Sequence, residues 1–206
     1  MPRWSAEYSA SRGDEHRRCA LSEPTTDGRR LKGERRRQEL IEATLRVVAR
    51  DGASGVTHRT VAREAGLPTT ASTYYFAGID DLLCAALTSV MDKDAARVQR
   101  LTAETETLEE GLRGLAEMMA DSAADPADRL ADNELYLLAA RRPELREPVR
   151  RWLEAVAAFA RRHTDDPMRV RLFVGALDGL CLQSLLVERP PTVREFEAML
   201  RELLPG

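Results

Sequence analysis

Hydroxyl side chains crowd the stretch from Thr57 to Tyr75, where Thr57, Thr69, Thr70, Ser72, Thr73, Tyr74 and Tyr75 stand with Arg59. A hydroxyl both donates and accepts hydrogen bonds, and a threonine methyl meets a thymine methyl, so such a set suits contact with DNA. Groups able to make and break bonds are scattered by comparison. The three histidines, His16, His58 and His163, lie far apart, and no Ser-His-Asp set, HExxH, phosphate loop or dinucleotide fingerprint accompanies them. The three cysteines, Cys19, Cys84 and Cys181, follow neither CxxC nor Cys/His spacing, which argues against zinc and against a disulfide framework. Cys84 and Cys181 fall in apolar helical runs and read as small core residues. Neither catalysis nor a metal or cofactor is expected.

Positioning the hydroxyls falls to two short helices and a tight turn. Thr57 is a good N-cap for the first, on which Val61, Ala62 and Ala65 recur at helical spacing. Gly66 then supplies a left-handed residue at low cost. Leu67 plugs the turn, and Pro68 suits the first position of a second helix, from Thr69 to about Tyr74. Two helices joined this way make a helix-turn-helix, whose second helix enters the major groove. A preceding helix from about Glu34 to Arg50 carries Ile41, Leu45, Val48 and Ala49 on one stripe. It must cover the pair, which is too small to bury itself.

The order of a helix, an Ala-Gly-hydrophobe turn, a helix ending in TYYF and an acidic DDLL helix start resembles the tetracycline-repressor (TetR) family of bacterial regulators. The likeness runs over residues 35 to 87, with Gly66, Tyr75, Phe76 and Leu82 at the family's spacing. Thr70 stands where many members have glycine, and Ile79 where a phosphate-binding lysine is common. By resemblance Tyr75 holds a phosphate. By position Thr57 does so too, and Arg59 reaches a phosphate or a guanine edge. Thr69, Thr70, Ser72, Thr73 and Tyr74 are candidates for the groove face, although so short a helix aims only some of them at bases. Phe76 reads as core.

The chain of 206 residues accommodates one domain or two small ones. Its 5 % aromatic content and few β-branched runs predict an all-α fold. Residues 1–83 hold 14 basic and 12 acidic side chains and residues 84–206 hold 17 and 22, so the N-terminal part is the side to meet phosphates. Residues 1–32 read as a disordered tail. Its basic end, Arg29, Arg30 and Lys32, runs into Arg35, Arg36 and Arg37, which is either a solvated charge run or an arm on DNA. No apolar leader is present, and the run from Leu172 to Val187 is short and broken by Asp178 and Gln183. No secretion or membrane span is therefore expected, and a cytoplasmic setting is.

A fourth helix is predicted from near Asp80 to about Leu101, with Leu83, Leu87, Val90 and Met91 on its apolar face and no flexible linker before the rest of the chain. Leu108, Leu112, Leu115 and Met119 mark a fifth, ending before Pro126, and Leu130, Leu137 and Leu138 a sixth, closed by Pro143. Val149, Leu153, Val156 and Ala160 line a seventh, with Pro148 near its start. An eighth starts at Asp165-Asp166-Pro167 and is apolar nearly all round from Leu172 to Val187. Thr192 and Glu195 form a capping box for an amphipathic ninth.

An apolar surface all round the eighth helix needs cover, and Gly175 and Gly179 allow another helix to approach closely. With Phe196 and Leu200 of the ninth, this predicts a homodimer through a four-helix bundle, where the resemblance also places its interface. The alternative is that the two helices finish a monomeric core. The resemblance puts a small-molecule pocket among the fourth to seventh helices. Trp152, Phe159 and His163 on one face, Glu134 on the Leu130–Leu138 stripe, and Met118, Met119 and Tyr136 are the candidates to line it. Each also fits plain core, and Glu134 also fits an ion pair with Arg141 or Arg142.

The sequence thus predicts about nine helices: a tail (1–32), a helix-turn-helix head (33–78) and an effector-binding and dimerisation domain (79–206). The expected function is a transcriptional repressor released from double-stranded palindromic operator DNA by a small molecule. The alternatives are a ligand-independent DNA-binding protein and a helical interaction protein.

Overall fold

A computed structural model describes residues 26–204 of the chain. All regular structure among them is helical: α1 (Thr26–Asp51), α2 (His58–Glu64), α3 (Thr69–Tyr75), α4 (Ile79–Glu104), α5 (Leu108–Ala124), α6 (Pro126–Arg141), α7 (Arg146–Arg161), α8 (Pro167–Gln183) and α9 (Val193–Leu203). Short 3-10 turns at Ala53–Gly55 and Pro143–Leu145 precede α2 and α7.

The breaks fall where side chains satisfy the helix ends. Thr57, Thr107 and Thr192 each form reciprocal capping boxes, with Thr60, Glu110 and Glu195. Asp125 caps α6, and Pro126 occupies its first turn. Gly66 has φ +66°, and Leu67 N–H donates to the Ala62 carbonyl at 2.9 Å to close α2. Arg146 reaches back to the carbonyls of Ala139 and Ala140, the open end of α6.

Three boundaries or faces differ from expectation. First, α1 starts at Thr26, about two turns before Glu34. Residues 26–32, expected in the tail, are therefore helical, and residues 1–25 lie outside the described part. Ion pairs Arg30–Glu34 (3.4 Å) and Arg35–Glu39 (3.3 Å), one turn apart, support this exposed extension. Second, α8 ends at Gln183, where the Ser184 hydroxyl donates to the Cys181 carbonyl at 2.7 Å. Third, α6 buries Ala131, Leu135 and Ala139, while Leu130 and Leu137 are 51 % and 60 % exposed.

The head comprises α1 packed on α2, and α2 on α3; Leu40, Ile41, Val47, Val48, Val61 and Phe76 lie in its interior. Beyond it, α4 packs on α7, α5 on α9, and α7 on α8. A second join ties the two parts together, because α6 lies against α1. Among the described residues no helix is long and apolar enough to cross a membrane.

Candidate functional site

The surface of α3 divides cleanly. Thr69, Thr70, Thr73 and Tyr74 are exposed, Tyr74 to 81 %, and form one face with Arg59 of α2 also open to solvent. Ser72 does not belong to that face. Its side chain is fully buried, and its hydroxyl lies 2.8 Å from Nδ1 of His58. This hydroxyl joins α3 to α2 from within, so the expectation that it contacts DNA is corrected. Thr57 is exposed, yet its hydroxyl accepts the Thr60 N–H at 3.0 Å and so serves its own helix.

Tyr75 is half-buried beside α1, its hydroxyl 3.6 Å from where a Cβ on Gly33 would lie. Its ring meets that of Tyr74 edge-on at 4.9 Å. Arg35, Arg36 and Arg37 are exposed along α1, and the Arg37 guanidinium covers the Phe76 ring at 5.0 Å. Arg46 and Arg50 both reach Glu64, at 2.9 and 2.8 Å, and clamp α1 to α2. Those two bonds hold the Glu64 carboxyl below its usual range.

Glu134 is placed differently from expectation. Its carboxylate points toward the head and accepts the Ala53 N–H at 2.6 Å, across the turn that precedes α2. The position where a Cβ on Gly52 would lie is 3.2 Å from the same oxygen, and Gly52 has φ +74°. Arg142 pairs with Asp80 instead. Glu134 is thus engaged as a strut between α6 and the head. The misplacement follows from α6 burying the other of its two stripes.

Inside the second part, Met118, Met119, Tyr136 and Trp152 come together around a small cavity of about 50 Å³. Met91, Asp94, Arg129, Asp132, Asn133, Asp178 and Cys181 complete its wall. Asp178 accepts the Tyr136 hydroxyl at 2.9 Å and the Trp152 indole N–H at 3.1 Å. Burial, then the Asp178 charge, drives the Tyr136 phenol well above its ordinary range, so it remains a donor. Burial also raises the Cys181 thiol to about 11, which keeps it protonated.

Beside the cavity, a larger cleft of about 430 Å³ shares Asp94, Met118, Arg129 and Asp132 with it. Arg129 is 4.0 Å from Asp132, and its buried Nε makes no hydrogen bond. Burial is the largest influence on both carboxyls: it raises Asp94, and it lifts Asp132 to about 7 with help from Asp94 and Asp128, against the pull of Arg129.

Phe159 and His163 are not part of this wall. Phe159 is fully buried, stacked on Phe173 at 5.8 Å and seated where a Cβ on Gly111 would come within 2.7 Å of its ring. His163 leans on Phe159 at 5.2 Å, and burial lowers its tendency to take a proton. Among the described residues no group of three or more His, Cys, Asp or Glu is placed to hold a metal.

The proposed contact surface needs one more correction. Phe196 and Leu200 are fully buried within the chain, on the side of α9 that packs on α5, so they are not open to a second copy. Among the described residues nothing lies within 4 Å of a Cβ built on Gly175 or Gly179, however. Met168, Leu172 and Leu182 on α8, with Leu186 and Val187 just beyond it, are exposed large apolar side chains.

Comparison with known proteins places these features in context. Residues 105–206 match the family model described as tetracyclin repressor-like, C-terminal domain. The multidrug binding protein EbrR, solved with imidazole, is 39 % identical, covering 83 % of this chain and 96 % of that one, with a TM-score of 0.66. A member of the TetR family from Streptomyces coelicolor A3, SCO1917, is 38 % identical over 83 % of this chain and 99 % of its own, with a TM-score of 0.69. The HTH-type transcriptional regulator PksA of Bacillus subtilis (strain 168) is 39 % identical over 66 residues, 32 % of this chain and 32 % of that protein. This chain thus matches about a third of the length of PksA.

Proposed function

Because the chain belongs to the TetR family of transcriptional regulators, we propose that it is a cytoplasmic, homodimeric repressor that a small molecule releases from a palindromic operator. The head through residue 78 reads DNA and residues 79–206 bind the effector and the second subunit. The exposed face of α3, with Thr69, Thr70, Thr73 and Tyr74, meets base edges; Arg59, Tyr75 and the arginines of α1 meet phosphates. The exposed apolar surface of α8, open at Gly175 and Gly179, is the contact between subunits.

The observation that carries the regulatory part is that one helix serves both ends. Arg129, Asp132, Asn133 and Tyr136 of α6 wall the cavity, and Glu134 of the same helix holds the Ala53 N–H of the head. A molecule that displaces α6 must strain or break that bond. A preference for the displaced arrangement of about 1–3 kcal/mol weakens operator binding some 5–150-fold.

EbrR has been solved with ethidium, malachite green and proflavin. Those are flat aromatic cations, and the cavity here offers Trp152 and Tyr136 with three carboxylates, Asp94, Asp132 and Asp178, against one guanidinium. A planar aromatic cation is therefore the effector class we assign. Footprinting on DNA flanking the gene for this protein, with and without ethidium, tests the whole reading. Protection lost on adding ethidium supports it; protection at no defined site points instead to a sequence-independent binder.

A further inference from the structure

Asp94 of α4 and Asp132 of α6 border both the small cavity and the larger cleft beside it, with Arg129 the only guanidinium common to the two. A cation seated in either space therefore meets both carboxylates. Two carboxylates and one guanidinium leave one negative charge unbalanced when both acids are ionised. In a site this withdrawn from water such a charge is costly, and a proton removes the cost. A bound cation removes it equally well. We propose that the effector cation and a proton compete for the Asp94–Asp132 pair, so that the cavity gives up a proton as it takes in its ligand. The inference rests on the effector reading above and adds a regulatory variable to it.

The surrounding charges are consistent with a proton held in the neutral range. From α4, Lys93 and Arg97 act against protonation, but Lys93 is exposed and Arg97 is engaged with Asp121 of α5 at 2.6 Å. From α6, Asp128 adds repulsion and Arg129 attraction. From α8, Asp178 is occupied by Tyr136 and Trp152, and Cys181 is kept neutral by burial. Glu42 of α1 and Asp125, the residue before α6, stand on the cleft and add no positive charge. Burial and the neighbouring acids together raise Asp132 to about 7, while Asp94 is raised by burial.

The direction of the pH effect follows. Above the titration of the free pair both groups are ionised, and the cation enters without proton exchange. Below it, the cation must expel a proton, so affinity falls by up to about tenfold for each pH unit. Acidification from pH 8 to pH 6 therefore weakens the effector and, by linkage, returns the repressor to its operator.

Isothermal titration calorimetry of the full chain with ethidium, at pH 6, 7 and 8 and in two buffers of different ionisation heat, tests this. The expected result is release of close to one proton at pH 6, little at pH 8, and tighter binding at pH 8. Asp132→Asn, nearly isosteric, is expected to remove the proton release and to hold affinity at pH 8 near the pH 6 value of the parent. Asp94→Asn relieves the repulsion and is expected to move the proton-release window to lower pH. Binding of ethidium with no buffer-dependent heat and one affinity from pH 6 to 8 overturns the inference while leaving the cation site intact. No binding at any pH overturns both.

Discussion

The Nδ1 of His58 and the hydroxyl of Ser72 lie 2.8 Å apart and lock the two arms of the helix-turn-helix from inside. The seven residues of α3 have little local stability of their own, so this bond and the Val61–Phe76 core fix the angle at which its outer face is presented.

Mutations in α3 are accordingly expected to separate into three kinds. Ser72→Ala leaves Nδ1 of the half-buried His58 without its partner and lowers the stability of the head by about 1 kcal/mol. Tyr75→Phe weakens operator and unrelated DNA alike, by roughly fivefold if one hydrogen bond is lost. Thr73→Ala or Tyr74→Ala shifts base preference at one or two positions by about 1–3 kcal/mol. Thermal melting together with binding to a library of single-base operator variants checks all three. A change of base preference in Tyr75→Phe would reverse the assigned roles.

Glu134→Ala removes the acceptor of the Ala53 N–H. Operator affinity without effector should fall only modestly. The response to effector should shrink from the 5–150-fold range toward none, because the displacement of α6 no longer reaches the head. Anisotropy with labelled operator, titrated with ethidium at several concentrations, measures it. A full response in the variant would assign the coupling to α4 alone.

Assembly is tested by two substitutions of opposite character. A Cβ at Gly179 meets nothing among the described residues, so Gly179→Leu should fold and yield monomer in light scattering. Phe196→Ala empties a fully buried site between α9 and α5, and should cost about 3–5 kcal/mol of stability. An unchanged dimer mass for folded Gly179→Leu moves the interface off α8.

Asp132 also makes stability depend on pH. Its folded carboxyl titrates near 7 instead of near 4, so the native state holds more protons than the unfolded chain between those values. Stability contributed by that proton is present at low pH and declines as pH rises to about 7. Asp132→Asn should therefore flatten the melting temperature across pH 5–8 and raise it at pH 8. A parallel decline in both proteins would show that other groups dominate.

Much of this organisation was legible in the chain because its punctuation is local. Thr57, Gly66, Pro126 and the Thr192–Glu195 pair each act on the backbone within a few residues, and the helix ends fall beside them. The faces were harder to read. On α6 the leucines Leu130 and Leu137 outweigh the small residues by hydrophobicity, yet Ala131 and Ala139 are buried instead. That choice depends on α6 lying against α1, a contact between distant parts of the chain. Glu134 was misplaced for the same reason, and Ser72 because its partner is fourteen residues away in another helix. The cavity acids were more accessible. Leu87, Met91, Asp94 and Val98 share one helical stripe, as do Asp132, Leu135 and Ala139, so each acid sits where an apolar residue is expected. Two of the pocket candidates, Phe159 and His163, share a face with Trp152 in sequence but lie past the end of the cavity.

The small cavity volume of about 50 Å³ also has a consequence in time. A dye-sized molecule does not fit it, so the closed protein must wait for the methionines and α6 to move before the ligand is accepted. Association should then level off at high ligand concentration, at the rate of opening, well below diffusion control. Brief surges of an aromatic cation would pass before the operator is vacated, while sustained exposure would not. On the proposed reading the protein would act as a delay filter, with a time constant set by the packing around Met91, Met118 and Met119.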